Sequence, residues 1–84
     1  MPEVEIGQVT VFFPDNMLAG VTTTAGLRLG DTLRIKGHDT DLEFTIGAMQ
    51  IDDVHVAEVQ AGDPVAIKVP LRVSPGDRVY KVLP

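Results

Sequence analysis

Apolar and polar residues alternate along several short stretches of the chain, and this alternation predicts β-strands. The clearest stretch is 32–36, where Leu33 and Ile35 alternate with three polar residues. A repeat of two residues is typical of a strand with one buried face. No stretch has the periodicity of a helix. The same pattern predicts further strands at 4–13, 17–24, 42–51, 65–69 and 78–82, and a short extended segment at 54–59.

Two of the predicted strands change phase at a glycine. In 4–13 the change falls at Gly7, and in 42–51 it falls at Gly47. A glycine at such a position indicates a β-bulge or a bend. After Gly7, the alternation predicts that Val9, Val11 and Phe13 face inward. Phe12 would then face outward, where its ring could stack on a nucleic-acid base.

The dipeptide Gly-Asp occurs three times, each time just before a predicted strand. The copies are Gly30-Asp31, Gly62-Asp63 and Gly76-Asp77, and an apolar residue stands three positions before each glycine. Glycine adopts a positive φ at no steric cost, and aspartate favours turns. We therefore predict three structural turns of one kind, with at least one glycine at positive φ. Their uneven spacing argues against a solenoid.

The totals indicate one small globular domain over residues 1–84. Hydrophobic residues make up 44% of the chain and charged residues 23%, which is ordinary for a globular protein. Several short strands with turns between them predict an all-β barrel or sandwich. Closure into a barrel would also remove exposed strand edges.

Charge and cysteine content narrow the classes of function. The net charge of −5 argues against strong non-specific binding of nucleic acid, which needs clustered positive charge. The chain has no cysteine, so neither disulfide nor thiolate chemistry is predicted. No signal peptide and no membrane-spanning stretch is visible, and we expect a cytoplasmic protein without a membrane partner.

Four segments together carry a resemblance to known proteins: 6–10, 26–37, 49–51 and 61–67, of which the strongest reads Leu-x-x-Gly-Asp-x-Leu-x-Ile-x-Gly. The chain resembles the second domain of translational GTPases such as elongation factor Tu. It is also similar to small stand-alone elongation factor-like proteins and to the C-terminal barrel of collagenase-like peptidases. The resemblance spans nearly the whole chain and implies a closed six-stranded antiparallel β-barrel. It further implies a non-catalytic module that contacts RNA, the ribosome or a neighbouring domain.

One part of the translational GTPases has no counterpart in the sequence. The phosphate-binding loop Gly-x-x-x-x-Gly-Lys-Ser/Thr is missing. We therefore predict that the protein neither binds nor hydrolyses GTP, and we predict no other cofactor.

The candidate binding residues are four basic side chains. Arg34, Lys36 and His38 are two residues apart, so they share the outer face of one strand if the strand continues that far. Lys68 could join them from another strand. One interpretation is a small basic patch for a phosphate or an acidic partner. The other is the ordinary solvated outer face of a barrel.

Catalytic and metal sites find little support in the sequence. Two acidic clusters contain a histidine, but neither has a recognised ligand spacing, and no metal is predicted. The only serine, Ser74, lies in a Ser-Pro-Gly turn, which is a poor setting for a nucleophile. We therefore predict that the protein is not an enzyme. The clusters are His38 with Asp39, Asp41 and Glu43, and His55 with Asp52 and Asp53.

Three functions remain as hypotheses. The first is a non-enzymatic binding module that engages RNA, the ribosome or a partner protein. The second is an accessory domain acting in trans with a collagenase-like peptidase or an RNA-modifying enzyme. The third, a small enzyme, has almost no residues to support it.

Overall fold

The computed structural model describes residues 2–84, and this part of the chain consists of β-strands and connecting turns. It contains no helix, which confirms the all-β prediction. It accordingly offers no helix long and apolar enough to cross a membrane. The ten strands are β1 (Glu3–Phe13), β2 (Leu18–Thr23), β3 (Leu27–Arg28), β4 (Thr32–Lys36), β5 (Asp41–Thr45), β6 (Met49–Ile51), β7 (Val54–Val56), β8 (Glu58–Val59), β9 (Pro64–Lys68) and β10 (Arg78–Val82).

Eight of these strands form one antiparallel sheet in the order β5-β4-β10-β1-β2-β9-β6-β7. The remaining two, β3 and β8, pair only with each other. The end strands β5 and β7 are not hydrogen-bonded to one another, so the sheet is open. The prediction of a closed six-stranded barrel is therefore wrong in both strand number and closure. The sequence pattern does not resolve the short strands β3, β7 and β8 as separate strands.

The predicted long strand 42–51 is in fact two strands at different places in the sheet. β5 pairs with β4, whereas β6 pairs with β7 and β9. The chain leaves the β5 ladder at Ile46, whose N–H donates to the carbonyl of Asp31 at 2.9 Å and whose carbonyl accepts from Gly30 at 3.0 Å. At Ile46, backbone hydrogen bonds to the first Gly-Asp turn thus replace the pairing with β4, and the chain leaves the edge of the sheet there.

β1 contains two bulges, and the second reverses a predicted orientation. The register shifts between Glu5 and Gly7, as expected, and shifts again between Val9 and Val11. The extra residue in the second bulge moves Val11 and Phe13 to the outer surface, where they are 38% and 46% exposed. Phe12 packs against the core instead. The predicted inward placement of Val11 and Phe13 is therefore wrong, because one inserted residue exchanges the two faces of a strand.

The core lies on the inner face of the sheet and is almost entirely aliphatic. Alternate residues of β4 and β9 are buried, as their sequence pattern predicts. Burying one such side chain contributes about 1.5–3 kcal/mol, so this layer is the main source of stability. Its largest fully buried members include Ile6, Leu27, Leu33, Ile35, Ile46, Met49 and Ile67.

The three Gly-Asp turns share one geometry. Gly30, Gly62 and Gly76 have φ values of 93°, 90° and 92°, which confirms the prediction of positive φ. In each turn the aspartate carboxylate accepts the backbone N–H three residues earlier, at 2.8–2.9 Å. Its own N–H returns to the carbonyl of that same residue at 3.0–3.1 Å. The glycine adopts the positive φ without steric strain, and the aspartate carboxylate closes the turn by its hydrogen bond. These two requirements explain why the dipeptide recurs.

Candidate functional site

The predicted basic patch is neutralised by carboxylates of the same chain. Arg34 forms a two-pronged contact with Asp41 at 3.0 and 3.1 Å and also reaches Glu3 at 3.4 Å. Lys36 donates to Glu3 at 2.9 Å, and its amine lies 4.9 Å from the centre of the Tyr80 ring. We call this set of five residues the charged face. It spans β5, β4, β10 and the start of β1.

The electrostatics of the charged face agree with mutual neutralisation. The hydrogen bond from Lys36 lowers the pKa of the Glu3 carboxyl below its ordinary value, with a further contribution from Arg34. The hydrogen bond to Asp41 raises the pKa of Arg34. A phosphate would have to displace these carboxylates, so the face is a weaker anion site than the spacing of its cations indicates.

The other two predicted binding residues lie apart from these contacts. His38 is exposed in the bend after β4. Lys68 is on β9, and the strands β10, β1 and β2 stand between β4 and β9 in the sheet. Its amine donates to the carbonyl of Asn16 at 2.6 Å. The structure therefore pairs Lys68 with the β1–β2 turn rather than with Arg34 in one patch.

The acidic and histidine clusters form no metal centre in the described part of the chain. Among residues 2–84 there is no group of three or more His, Asp or Glu side chains placed to hold an ion. Ser74 lies in the third Gly-Asp turn, where its N–H donates to Asp77 at 2.9 Å.

A surface groove lies over β2, β9 and β6 and was not predicted from the sequence. It consists of two adjoining depressions of about 450 and 540 Å³ that share Asn16, Leu18, Gln50 and Asp53. Ala66, the central outward residue of β9, lies in its floor and pairs with Gln50 on β6. The short side chain of Ala66 leaves a hollow between the longer side chains around it.

One side of the groove is apolar. Phe13 lines it and is exposed over nearly half of its surface, and Leu18 is its partner across the β1–β2 ladder. Pro64 and Ala66 continue this surface along β9. An apolar surface that collects several residues in a concave site is typical of a binding region.

The rim of the groove is acidic. Asp15 lies on it in the β1–β2 turn, and Asp52 and Asp53 lie on it in the β6–β7 turn. Within residues 2–84, none of these three carboxylates has a basic group within 4.0 Å, in contrast to Glu3 and Asp41. Among residues 2–84, Lys68 is the one lysine or arginine that lines the groove, which His55 also lines, and the amine of Lys68 donates to the carbonyl of Asn16.

The two turns that bound the groove have unusual backbone conformations. Met17, Asp52 and Asp53 have φ values of 53°, 50° and 65°, and they are the non-glycine residues with positive φ in the described chain. Aspartate tolerates this region well, whereas methionine adopts it at a cost. The groove is not visible in the sequence because its walls come from segments around residues 15, 50 and 65, which only the sheet order brings together. The one sequence feature that indicates the groove is the small Ala66 between Pro64 and Lys68, which face outward on the same strand.

One comparison with known proteins finds a relative in sequence, and another finds solved structures of the same fold. No family model matches the chain. An uncharacterized protease of Methanocaldococcus jannaschii is 34% identical over 79 residues, which cover 93% of this chain and 19% of that protein. The chain thus spans about a fifth of the curated relative that it matches. It is related in sequence to one segment of a much longer protein.

Solved structures show the same fold. The C-terminal domain of a U32 peptidase-like protein from Geobacillus thermoleovorans superposes with a TM-score of 0.84 and 20% identity, covering 93% of this chain and 91% of that domain. A selenomethionine variant of the domain gives the same score over 92% and 98% of the two chains. These matches support the predicted resemblance to the C-terminal barrel of collagenase-like peptidases. They do not show the resemblance to translation factors.

Proposed function

We propose that this protein is a non-catalytic accessory domain that docks on the catalytic part of a U32 peptidase-like protein, on the same chain or on another. The observation that carries the proposal is the sequence relationship to one segment of the M. jannaschii protease over 93% of the chain. The shared fold with a C-terminal domain supports it independently. Domains of one protein commonly contact one another through interfaces on part of their surfaces.

The chemistry of the surface favours docking over catalysis. The strongest ionic groups, on the charged face, are engaged with one another rather than directed at a common point. Ser74 is part of a turn, where its backbone N–H donates to Asp77, and within residues 2–84 no hydrogen bond joins its hydroxyl to a base. The groove, by contrast, combines exposed apolar surface with unpaired charge, which is the composition of a contact surface.

Contact with RNA or the ribosome is the competing function, and the two observations that bear on it count against it. The net charge is −5, and the two cations predicted to bind phosphate are held by Glu3 and Asp41. The partner's substrate, whether peptide or RNA, is a property of the partner and does not alter the docking proposal.

Association with the catalytic part tests the proposal. The M. jannaschii protein is produced without the segment that matches this chain, checked for folding by circular dichroism, and titrated with this chain by calorimetry. We expect a saturable one-to-one complex. A transfer RNA titration at low salt is run in parallel as the control for the competing function. Absence of a complex together with salt-sensitive RNA binding would replace the docking proposal with the RNA function.

A further inference from the structure

We propose that the groove over β2, β9 and β6 receives a short extended segment of the catalytic part that carries an apolar side chain beside Lys or Arg. The inference rests on the proposed function and adds the place and the chemistry of the contact. Three features carry it: the size of the groove, its apolar wall and its unpaired carboxylates.

The dimensions of the groove suit a peptide segment. Each of its two depressions has a volume of about 450–540 Å³, which is within the range that accepts a small ligand or a few side chains. The depressions adjoin through Leu18 and Gln50, so the groove is elongated rather than a single pit. An extended chain places alternate side chains about 7 Å apart and can therefore occupy both depressions.

The apolar wall specifies one part of the occupant. The exposed ring of Phe13 and the half-buried side chain of Leu18 stand beside Ala66. A leucine- or phenylalanine-sized side chain resting on this wall would remove all three from water. The second bulge of β1 creates this wall, because it turns Phe13 out of the core.

The rim specifies the charge of the occupant. Asp52 lines one depression, Asp15 lines the other, and Asp53 lines both. In residues 2–84 no basic group pairs with them, and Lys68 donates to the carbonyl of Asn16 instead. The lining carries three carboxylates against one amine, with His55 as its remaining titratable side chain. The resulting local excess of negative charge attracts a basic segment and repels phosphate.

The same charge argument disfavours a second copy of this chain as the occupant. The chain carries a net charge of −5, so two copies repel each other on approach. Its loop at 70–72 does present the exposed Leu71 beside Arg72. Self-association through that loop is therefore the alternative that the test must detect.

A peptide titration tests the groove without the catalytic part. The probe is the peptide acetyl-Arg-Leu-Arg-Leu-Arg-amide, and its control has Glu in place of Arg. Both are added to the ¹⁵N-labelled full chain and followed by amide chemical shifts. We expect the basic peptide to shift Leu18, Gln50 and Ala66 and the acidic peptide to shift none of them. Equal effects of both peptides, or shifts confined to the charged face, would overturn the inference.

Matched charge variants sharpen the test. Asp52→Asn with Asp53→Asn removes two rim charges, and asparagine tolerates their positive φ, so the fold is kept. We expect the dissociation constant of the basic peptide to rise about threefold to tenfold. Asp39→Asn with Glu43→Gln removes two exposed charges that do not line the groove. This control variant should leave the dissociation constant of the basic peptide unchanged. Equal affinity in the two variants would contradict the assignment.

The two proposals can fail separately. If the catalytic part binds and the Asp52→Asn, Asp53→Asn variant binds it as tightly as the wild type, the groove inference is wrong and the docking function stands. If the basic peptide occupies the groove and the catalytic part does not bind, the docking function is wrong. Concentration-dependent dimerisation that is lost on Leu71→Ser would show that a second copy fills the groove, which also overturns the inference.

Discussion

The charged face and the groove lie on the outer surface of the same sheet, yet their charged side chains differ in whether they are paired within the chain. On the charged face, Arg34 and Lys36 bind the carboxylates of Asp41 and Glu3. At the groove, Asp15, Asp52 and Asp53 have no such partner in residues 2–84. Charges satisfied within the chain stabilise it locally, whereas unsatisfied charges are available to another molecule. The spacing of charged residues in a sequence does not distinguish the two cases.

A single strand connects the two regions. β1 begins at Glu3 on the charged face and ends at Phe13 on the groove. Its middle is held by the third Gly-Asp turn, where Gly76 donates to the carbonyl of Val9 at 2.7 Å and Val9 donates to the carbonyl of Asp77 at 2.8 Å. This turn therefore supports both regions.

The largest expected effect follows from breaking that shared support. Gly76→Val places a branched side chain at a φ of 92°, and we expect the free energy of unfolding to fall by about 1–3 kcal/mol. Urea denaturation followed by circular dichroism measures the change. Gly47→Val is the control, because Gly47 has no positive φ and a Cβ there meets no atom within 4 Å. Equal losses in both variants would show that the turn conformation is not the cause.

The second expected effect separates the two aromatic residues at the end of β1. Phe12 packs against the core and lies under Arg72, whose guanidinium carbon is 5.9 Å from the ring centre, whereas Phe13 is exposed. We expect Phe12→Ala to cost about 1–2 kcal/mol of stability and Phe13→Ala less than about 0.5 kcal/mol. Chemical denaturation of both variants checks this. The reverse order would mean that the second bulge of β1 is absent.

The third expected effect contrasts the charges of the two regions by stability. Arg34→Gln leaves Asp41 and Glu3 without their guanidinium partner, so the thermal midpoint should fall, by less than for Gly76→Val. Asp52→Asn with Asp53→Asn should leave the midpoint unchanged or raise it, because no ion pair is lost. Differential scanning fluorimetry of the two variants provides the comparison. If the thermal midpoint falls more for Asp52→Asn with Asp53→Asn than for Arg34→Gln, the assignment of the two regions is contradicted.

The smallest expected effect concerns pH. The folded state lowers the pKa of Glu3, so the carboxylate of Glu3 stabilises the protein above the pKa of an unfolded glutamate. This contribution is lost as the pH falls through the lowered, folded value. Glu3→Gln should therefore be less stable than the wild type at pH 7, and the difference should disappear in acid. A difference that stays constant from pH 7 to strongly acidic solution would remove the ion pair as its cause.

The sequence predicts those features that depend on local pattern. The strand at 32–36 matches β4, because strict alternation leaves one consistent face. The Gly-Asp turns have the predicted positive φ, because each is closed by its own side chain. The orientation of Phe13 could not be predicted, since it depends on an extra residue in β1 that has no glycine to mark it. The break at Ile46 depends on bonds to the distant Asp31 and Gly30.

The candidate site is less accessible to sequence reasoning than the fold. Arg34 and Lys36 are conspicuous because they alternate on one strand, but their partners Glu3 and Asp41 are brought to them by the sheet order. The groove is hidden for the same reason. Asp15, Asp53 and Ala66 come from three segments of the chain, which line one groove only because β9 lies between β2 and β6.

One measurement tests directly whether the groove, rather than the charged face, is the docking surface. The ¹⁵N-labelled chain is titrated with the M. jannaschii protein that lacks the matching segment, and amide shifts are mapped on the sheet. We predict that Leu18, Gln50 and Ala66 shift or broaden first, while Arg34 and Lys36 do not respond. Changes centred on Arg34 and Lys36, with the groove unaffected, would contradict the account.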